Sequence, residues 1–264
     1  MTDAALDLSH HERRAAAEAL AARLGAQVWT LEVEGVLDLS PSMRRIHLRC
    51  LEPEVPGAAP GNDLTLAIAT RGDTTVRRRY TIRHLDPVRR SVDLDFVVHG
   101  EGPAAGWAKS AEVGTEIEAI GPRGKVTLVP DVDWHLFVGD DSFLPASLEM
   151  LSSLPAGSSA HLFLEVEGAA DEQPIEATAS VDGPGFVHRG GSAPGKGTAL
   201  LDALRAFAPP PGHGFAYLGG EHHLVSAARR LLLDAGMAAE DLAPKSYWRL
   251  DRANADHGEP PREE

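Results

Sequence analysis

The sequence predicts a molecule in two parts, a small antiparallel β-barrel followed by a parallel α/β domain. Before Pro130, several short stretches show strand periodicity, are separated by regular turn signals and leave little room for helix, a pattern typical of a barrel. After Pro130, compact apolar strands alternate with helical segments, which favours a parallel sheet. We therefore expect an N-terminal tail and helix over residues 1–26, a barrel over 27–130 and an α/β domain over 131–264.

The N-terminal segment is predicted to be a short tail followed by a helix. Leu8, Ala16, Leu20 and Leu24 are spaced for one apolar helix face, and Gly25 marks the end of the helix. The barrel strands then follow from runs of alternating side chains bounded by Gly, Pro and Asp turn residues. A short helix is expected near residues 104–110. The predicted strands cover residues 28–35, 42–50, 64–70, 79–84, 92–99, 114–120 and 126–129.

The α/β part begins with the compact apolar strand at residues 134–138. Pro145 suits the first turn of the helix that follows, because a proline there gives up no helical hydrogen bond. Residues 167–198 are rich in Gly, Pro and acidic residues and are expected to form loops around a short strand. The further predicted strands cover residues 160–166, 185–188 and 215–218, and the helices cover 144–151, 198–207 and a segment after Glu221.

Composition narrows the classes of function. The 264 residues carry a formal net charge of −14, which makes nucleic acid and anionic membranes poor partners. The single cysteine, Cys50, excludes an internal disulfide and a cysteine-rich metal site. We expect no signal peptide and no apolar run of about 18 residues able to span a bilayer. A cytoplasmic protein that binds no metal is the prediction.

The tyrosine motif, which we define as residues 78–83, has the features of a ligand-binding strand. Side chains alternate along a strand, so Arg78, Tyr80 and Ile82 share one face, while Arg79, Thr81 and Arg83 are on the other. An aromatic ring two residues from a cation suits a flat ligand that also carries a phosphate. The alternative is that the tyrosine is an ordinary packing residue.

A second stretch, from Asp95 to Trp107, begins as a strand and then breaks at the glycine bend, which we define as residues 100–104. Glycines allow backbone N–H groups to approach an anion closely, and a helix opening at Ala104 would add its N-terminus to the site. An ordinary turn is again the alternative. The two stretches together, about twenty residues apart, favour a flavin dinucleotide.

In a parallel α/β sheet, ligands bind at the carboxyl ends of the strands. Residues 139–142 and 219–221 both follow predicted strands, so each segment is a candidate to receive part of a dinucleotide. Each is equally explained as a strand-to-helix turn. The sequence has no Gly-x-Gly-x-x-Gly motif, so the usual dinucleotide fingerprint is missing.

These motifs resemble the siderophore-interacting protein family of FAD-dependent ferric-siderophore reductases, related to the ferredoxin-reductase superfamily. Arg78-x-Tyr80-Thr81 is similar to the superfamily's flavin motif, and the run from Asp95 to Trp107 is distinctive for the family. Further similar segments, Gly121-Pro122-Arg123-Gly124, Gly139-Asp140-x-x-x-Leu144-Pro145-Ala146 and Tyr247-Trp248-Arg249, follow in the family's order. The resemblance implies a six-stranded Greek-key FAD-binding barrel followed by an NAD(P)H-binding-like α/β domain.

The resemblance also implies roles for individual residues. Arg78 would pair with the FAD diphosphate, Tyr80 would pack on the isoalloxazine, and Thr81 would lie near its redox-active edge, with no catalytic residue assigned beyond the flavin. The complete FAD set would be Arg78, Tyr80, Thr81, Arg83, Asp95, Phe96, Val97, His99, Gly100, Gly102, Pro103, Ala104, Trp107 and Trp248. The residues facing the pyridine nucleotide would be Gly139, Asp140, Asp141, Ser142, Pro145, Gly220 and Glu221.

The implied activity is reduction of a ferric-siderophore by NADPH or NADH through FAD, with release of Fe(II); a ferredoxin is an alternative electron donor. Because ferric-siderophores are often anionic, Arg123, Lys125, Lys245 and Arg249 are candidate substrate-binding residues, although each is equally well explained as a solvated surface residue. Two other functions remain open: a flavin-containing reductase serving a protein partner, and a non-catalytic FAD- or siderophore-binding module.

Three other motifs are rejected. The segment from Gly190 to Lys196 is nearly a phosphate-binding loop, but Gly197 replaces the Ser or Thr that holds magnesium. His10-His11-Glu12 and His222-His223 lack the spacing that places two imidazoles on one helix face.

Overall fold

The chain forms two compact units, Met1–Lys125 and Val126–Glu264. The computed structural model describes residues 10–250, apart from positions 53, 56, 72, 73, 99, 101 and 125. Among the described residues, no helix combines the length and the apolar character needed to cross a membrane.

The first unit is a closed antiparallel barrel, with strand order β1-β2-β5-β4-β3-β6. This order is a six-stranded Greek key and confirms the predicted architecture. Helix α1 precedes the barrel, and helix α2 lies between the fifth and sixth strands. The elements are α1 (His10–Arg23), β1 (Gln27–Ser40), β2 (Met43–Glu52), β3 (Asp63–Arg71), β4 (Thr74–Asp86), β5 (Ser91–Val97), α2 (Pro103–Ser110) and β6 (Glu116–Arg123).

Alternating side chains fill the barrel. The inward residues of β1, β2, β3 and β5 are almost wholly buried, and they include Trp29, Ile46, Leu64 and Phe96. The indole of Trp29 donates to the carbonyl of Gly121 at 2.9 Å, so its buried N–H is satisfied. Strand β6 pairs with both β1 and β3 and thereby closes the barrel without a further strand.

Two predictions about the barrel and the helix before it were wrong in detail. Residues 126–129 do not form a strand, because β6 already supplies the pairing that closes the barrel. In α1 the buried residues are Ala17 and Ala21, which pack on Val28 and Ile120. The outer surface of β1 and β6 therefore selects a face one residue away from the predicted one, and Ala16 and Leu24 are exposed. Leu8 lies outside the described residues.

The second unit is a parallel five-stranded sheet, in the order β11-β10-β7-β8-β9, and this confirms the predicted α/β architecture. Helices connect the strands, and short 3-10 helices lie at Ala169–Asp171 and Ala239–Asp241. The elements are β7 (Trp134–Gly139), α3 (Leu144–Ser152), β8 (Ser159–Val166), β9 (Ser180–His188), α4 (Ala199–Arg205), β10 (Gly214–Glu221), α5 (His222–Asp234) and β11 (Leu242–Trp248).

Two strands of this sheet differ from the prediction. Strand β9 begins at Ser180, earlier than expected, because it pairs with the whole length of β8. Strand β11 was not predicted at all. It contains Pro244 and lacks a regular alternation, but it lies at the sheet edge, where a proline's missing N–H need not break a ladder.

Candidate functional site

The aromatic residues of the two ligand-binding stretches meet in the barrel unit. Tyr80 of β4 contacts Phe96 of β5 with ring centroids 3.9 Å apart and the rings tilted by 31°, and Phe96 contacts Trp107 of α2 at 5.3 Å. Phe96 is fully buried, whereas Tyr80 and Trp107 are only partly buried. Burial raises the pKa of the Tyr80 phenol, so this side chain is neutral across the physiological range. Contacts among the three rings thus link the tyrosine motif to the stretch from Asp95 to Trp107.

The other face of the tyrosine motif carries a buried ion pair. Thr81 pairs in register with Asp63 on β3, and the Nε of Arg79 donates to the Asp63 carboxylate at 2.9 Å. Thr81 and Arg83 are buried. The Nη2 of Arg79 is buried without a hydrogen-bond partner.

Asp95 has a structural partner. It lies directly opposite Arg45 in the β2–β5 register, and its carboxylate accepts two hydrogen bonds from that guanidinium, at 2.6 and 2.8 Å. Its side chain is 1% exposed. The adjacent Val97 pairs with Met43 on β2. His99 lies outside the described residues.

The two glycines of the glycine bend have open space beside them. Gly100 has a φ of +76°, and a Cβ added at Gly100 or Gly102 would meet no atom within 4 Å, so there is open space beside the backbone. Helix α2 begins at Pro103, and Gly102 provides no side chain to cap it. The ammonium of Lys109 reaches the Gly100 carbonyl at 3.2 Å and adds a positive charge. An uncapped helix N-terminus with open space in front of it fits the FAD diphosphate.

In the second unit, the sheet reverses its winding between β7 and β10, and we call the carboxyl ends of these two strands the switch point. Gly139 and Gly219 approach each other there beneath the ring of Phe143. A Cβ on Gly139 would overlap the Gly219 carbonyl, and one on Gly219 would overlap that ring. These glycines are therefore required by close packing within the chain.

Asp140 joins three strand ends at the switch point. Its carboxylate accepts hydrogen bonds from the N–H of Ser142, the N–H of Glu221 and the indole of Trp248, at 2.7 to 2.9 Å. Gly220, with a φ of +129°, leaves room for this carboxylate. Burial and the neighbouring Asp141 raise the pKa of Asp140 to about 6, while the hydrogen bonds act in the opposite direction.

Glu221 caps helix α5. It is fully buried, and its Oε2 accepts the N–H groups of His223 and Leu224 at the start of the helix. Its Oε1 accepts the N–H of Leu250 at 3.1 Å. Both carboxylate oxygens are thus bound by backbone within the same unit.

A charged cluster lies beside the switch point. It joins Asp141, a predicted nucleotide-facing residue, to Glu165, Glu167 and Arg189, which the sequence analysis did not single out. The guanidinium of Arg189 lies 3.0 Å from Asp141, 3.3 Å from Glu167 and 3.8 Å from Glu165. Burial raises the pKa of Glu165 to about 7, although Arg189 opposes this shift. The signal available in the sequence was Glu165, a charged residue within the otherwise apolar run at 160–166.

The remaining candidates are distributed over the two units. Pro145 is the second residue of α3 and is buried. Arg123 ends β6 in the first unit, and Lys125 lies outside the described residues. In the second unit, the ammonium of Lys245 lies 5.1 Å from the centre of the Tyr247 ring, and Arg249 directly follows β11. Arg123 thus belongs to the first unit, and Lys245 and Arg249 belong to the second.

A six-stranded Greek-key barrel followed by this five-stranded parallel sheet is a ferredoxin-reductase-like fold, shared with the solved ferredoxin reductase of carbazole 1,9a-dioxygenase at a TM-score of 0.64 and 17% identity, covering 84% of this chain and 70% of that one. Two family models match the chain: the siderophore-interacting FAD-binding domain over residues 52–126 and the siderophore-interacting protein over residues 132–251. A siderophore utilization protein from T. fusca has a similar crystal structure, with a TM-score of 0.77 and 30% identity, covering 88% of this chain and 96% of that one. The chain belongs to the siderophore-interacting protein family.

Curated relatives include named reductases. The ferric vibriobactin reductase ViuB of Vibrio cholerae is 33% identical over 178 residues, which are 66% of this chain and 65% of that protein. The NADPH-dependent ferric-chelate reductase of Escherichia coli is 39% identical over 72 residues, 26% of this chain and 28% of that protein. The chain thus spans 65% of the length of the Vibrio relative.

Proposed function

We propose that the chain is an FAD-dependent ferric-siderophore reductase that receives electrons from a reduced pyridine nucleotide and releases iron as Fe(II). The name of the Vibrio relative supports the substrate class, and that of the E. coli relative supports a pyridine nucleotide donor. Residues 27–130 are assigned to FAD binding and residues 131–264 to the nucleotide. The cytoplasm, which supplies reduced pyridine nucleotides, is the proposed location.

The observation that carries the proposal is the ring contact from Tyr80 through Phe96 to Trp107. These contacts tie the tyrosine motif to the helix that follows the glycine bend. A planar ring system and a diphosphate can therefore be bound by one continuous structure, as FAD requires. Tyr80 keeps part of its side chain exposed, so Phe96 supports the tyrosine without burying it completely.

The chain's own residues would bind and orient the cofactor. Arg78 would pair with the diphosphate, and the α2 N-terminus at Gly102 would add its dipole to the same charge. Tyr80 would fix the plane of the ring system, with Thr81 next to it in the motif. The chemistry that FAD supplies when bound is the division of one hydride, which carries two electrons, into two one-electron reductions.

The overall reaction balances with one reduced nucleotide and two ferric ions, which give the oxidised nucleotide, one proton and two ferrous ions. Hard oxygen ligands bind Fe(II) less tightly than Fe(III), because Fe(II) carries less charge. Arg123, Lys125, Lys245 and Arg249 would attract an anionic ferric-siderophore. Metal ions enter this scheme only as substrate.

The proposal is tested by loading the purified protein with FAD and following Fe(II) capture by a chromogenic chelator under anaerobic conditions. We expect the protein to bind one equivalent of FAD, measured by flavin absorbance. We also expect a ferric-siderophore to oxidise the chemically reduced flavin. Tyr80→Ala should weaken FAD binding by roughly tenfold or more, on the basis of about 1–3 kcal/mol for an aromatic stack. A protein that cannot be loaded, or a reduced flavin that ferric-siderophore leaves unchanged, would contradict the proposal.

The matched control is Phe215→Ala, which removes an aromatic ring from β10 in the other unit, where the ring contacts Tyr217 at 5.1 Å. It should leave FAD affinity unchanged. Equal loss of FAD binding in both variants would indicate general destabilisation and not a contact with the flavin.

A further inference from the structure

The order of the parallel strands indicates where each half of a dinucleotide binds in a sheet of this kind. The chain passes from the central β7 to β8 and β9 on one side and then crosses to β10 and β11 on the other. In such sheets the residue at the end of the second strand, here β8, recognises the 2′-position of the adenosine ribose. An acidic residue there binds a free 2′-hydroxyl, whereas a nearby arginine accommodates a 2′-phosphate.

Glu167 directly follows β8 and is the acidic residue expected to bind a free 2′-hydroxyl. Its Oε1 accepts the N–H of Gly191 at 3.0 Å, which holds the carboxylate at the carboxyl edge of the sheet. Its side chain is 45% exposed, so a ligand in solvent can reach it. An ionised carboxylate has about four acceptor positions, and those that remain are available for a ribose hydroxyl.

Arg189, which directly follows β9, is the basic residue paired with Glu167, but its charge is already neutralised. Its side chain is 2% exposed, and its guanidinium faces the carboxylates of Asp141, Glu165 and Glu167 within 4 Å. Releasing it to a phosphate would leave several carboxylates together without their counter-ion, which is costly for buried groups. The next cation along the chain, Lys196, is exposed.

We propose that Glu167, together with an Arg189 already paired with carboxylates, makes this chain selective for NADH over NADPH. This inference rests on the proposed function. The 2′-phosphate of NADPH brings up to two negative charges to an edge where carboxylates outnumber the arginine. Repulsion between this phosphate and the carboxylates is expected to weaken NADP⁺ binding roughly tenfold or more relative to NAD⁺. The preference is opposite to the donor in the E. coli relative's name.

The test is calorimetric titration of the FAD-loaded protein with NAD⁺ and with NADP⁺, so that binding is measured without electron transfer. We expect NAD⁺ to bind at least about tenfold more tightly. In Glu167→Gln, NAD⁺ should bind several-fold more weakly and NADP⁺ more tightly, so the ratio of the NADP⁺ dissociation constant to the NAD⁺ dissociation constant should fall. The matched control is Glu240→Gln, an identical charge change at an exposed position before β11, on the amino edge of the sheet; its ratio should equal that of the wild type.

Three outcomes would overturn the inference: equal or tighter binding of NADP⁺, an unchanged ratio in Glu167→Gln, or binding of neither nucleotide. Lys196→Gln separates one further possibility, since loss of NADP⁺ binding in that variant would assign the 2′-phosphate to Lys196. The proposed function is tested separately, because chemically reduced flavin oxidised by ferric-siderophore supports it whichever nucleotide binds.

Discussion

The paired carboxylate of Asp95 illustrates how a residue in a family motif can have a structural task. We expect Asp95→Ala to lower the free energy of unfolding by about 3 kcal/mol, because Arg45 would be left largely buried beside the vacated position. Urea denaturation measures this loss. The control is Asp38→Ala, which removes the exposed partner of Arg44 and should leave the midpoint nearly unchanged. Equal shifts in the two variants would contradict the structural role.

Glu165 should make the stability of the protein depend on pH. Its folded pKa, about 7, lies above the ordinary value of 4.5, so the folded state holds a proton that the unfolded state has lost between these pH values. Stability therefore falls as the pH rises from about 4.5 to 7. Glu165→Gln should flatten this decline in urea-denaturation midpoints, whereas Glu172→Gln, at a half-exposed site, should keep it. A profile unchanged by Glu165→Gln would refute the assignment.

The tyrosine motif and the glycine bend are recognisable from sequence because their chemistry is local: an aromatic residue, a cation and glycines at fixed spacing. The partners of Asp95 and Asp140 are not predictable in this way. Arg45 is 50 positions from Asp95, and Trp248 is 108 positions from Asp140. These contacts depend on strand register and sheet order, which are properties of the folded chain. The Arg189 cluster was missed for the same reason.

Helix α5 depends on a carboxylate that the family resemblance assigns to nucleotide binding. Because Glu221 accepts the first N–H groups of the helix, Glu221→Ala should lower the free energy of unfolding by about 1–2 kcal/mol. Thermal and urea denaturation of the variant check this value. Glu240→Ala, at an exposed position in a 3-10 helix, serves as the control. Full stability in Glu221→Ala would show that the cap contributes little.

Element boundaries were predicted best where a strand or helix has its own periodic pattern. Strands β3 and β7 and helix α3 begin within about two residues of the expected positions. Strand β11 has no such pattern, and it forms because β10 offers an open parallel edge from Ala216 onward. The buried face of α1 was likewise set by the barrel surface. Tertiary pairing thus decided the elements that sequence periodicity left undefined.

The division of the molecule leads to a prediction about the cofactor. The tyrosine motif, the glycine bend and Trp107 all belong to the unit Met1–Lys125, which has its own core, whereas Trp248 belongs to the other unit. We expect a fragment of residues 1–125 to fold and bind FAD, because the ring contacts and the α2 N-terminus are intact within it. Its FAD affinity should lie within about tenfold of that of the full chain.

Fluorescence quenching of FAD measures the affinity, and circular dichroism verifies that the fragment is folded. Tyr80→Ala introduced into the fragment is the matched variant, and it should weaken FAD binding as it does in the full chain. A folded fragment that fails to bind FAD, beside a full chain that binds it, would mean that the barrel unit alone does not form the site.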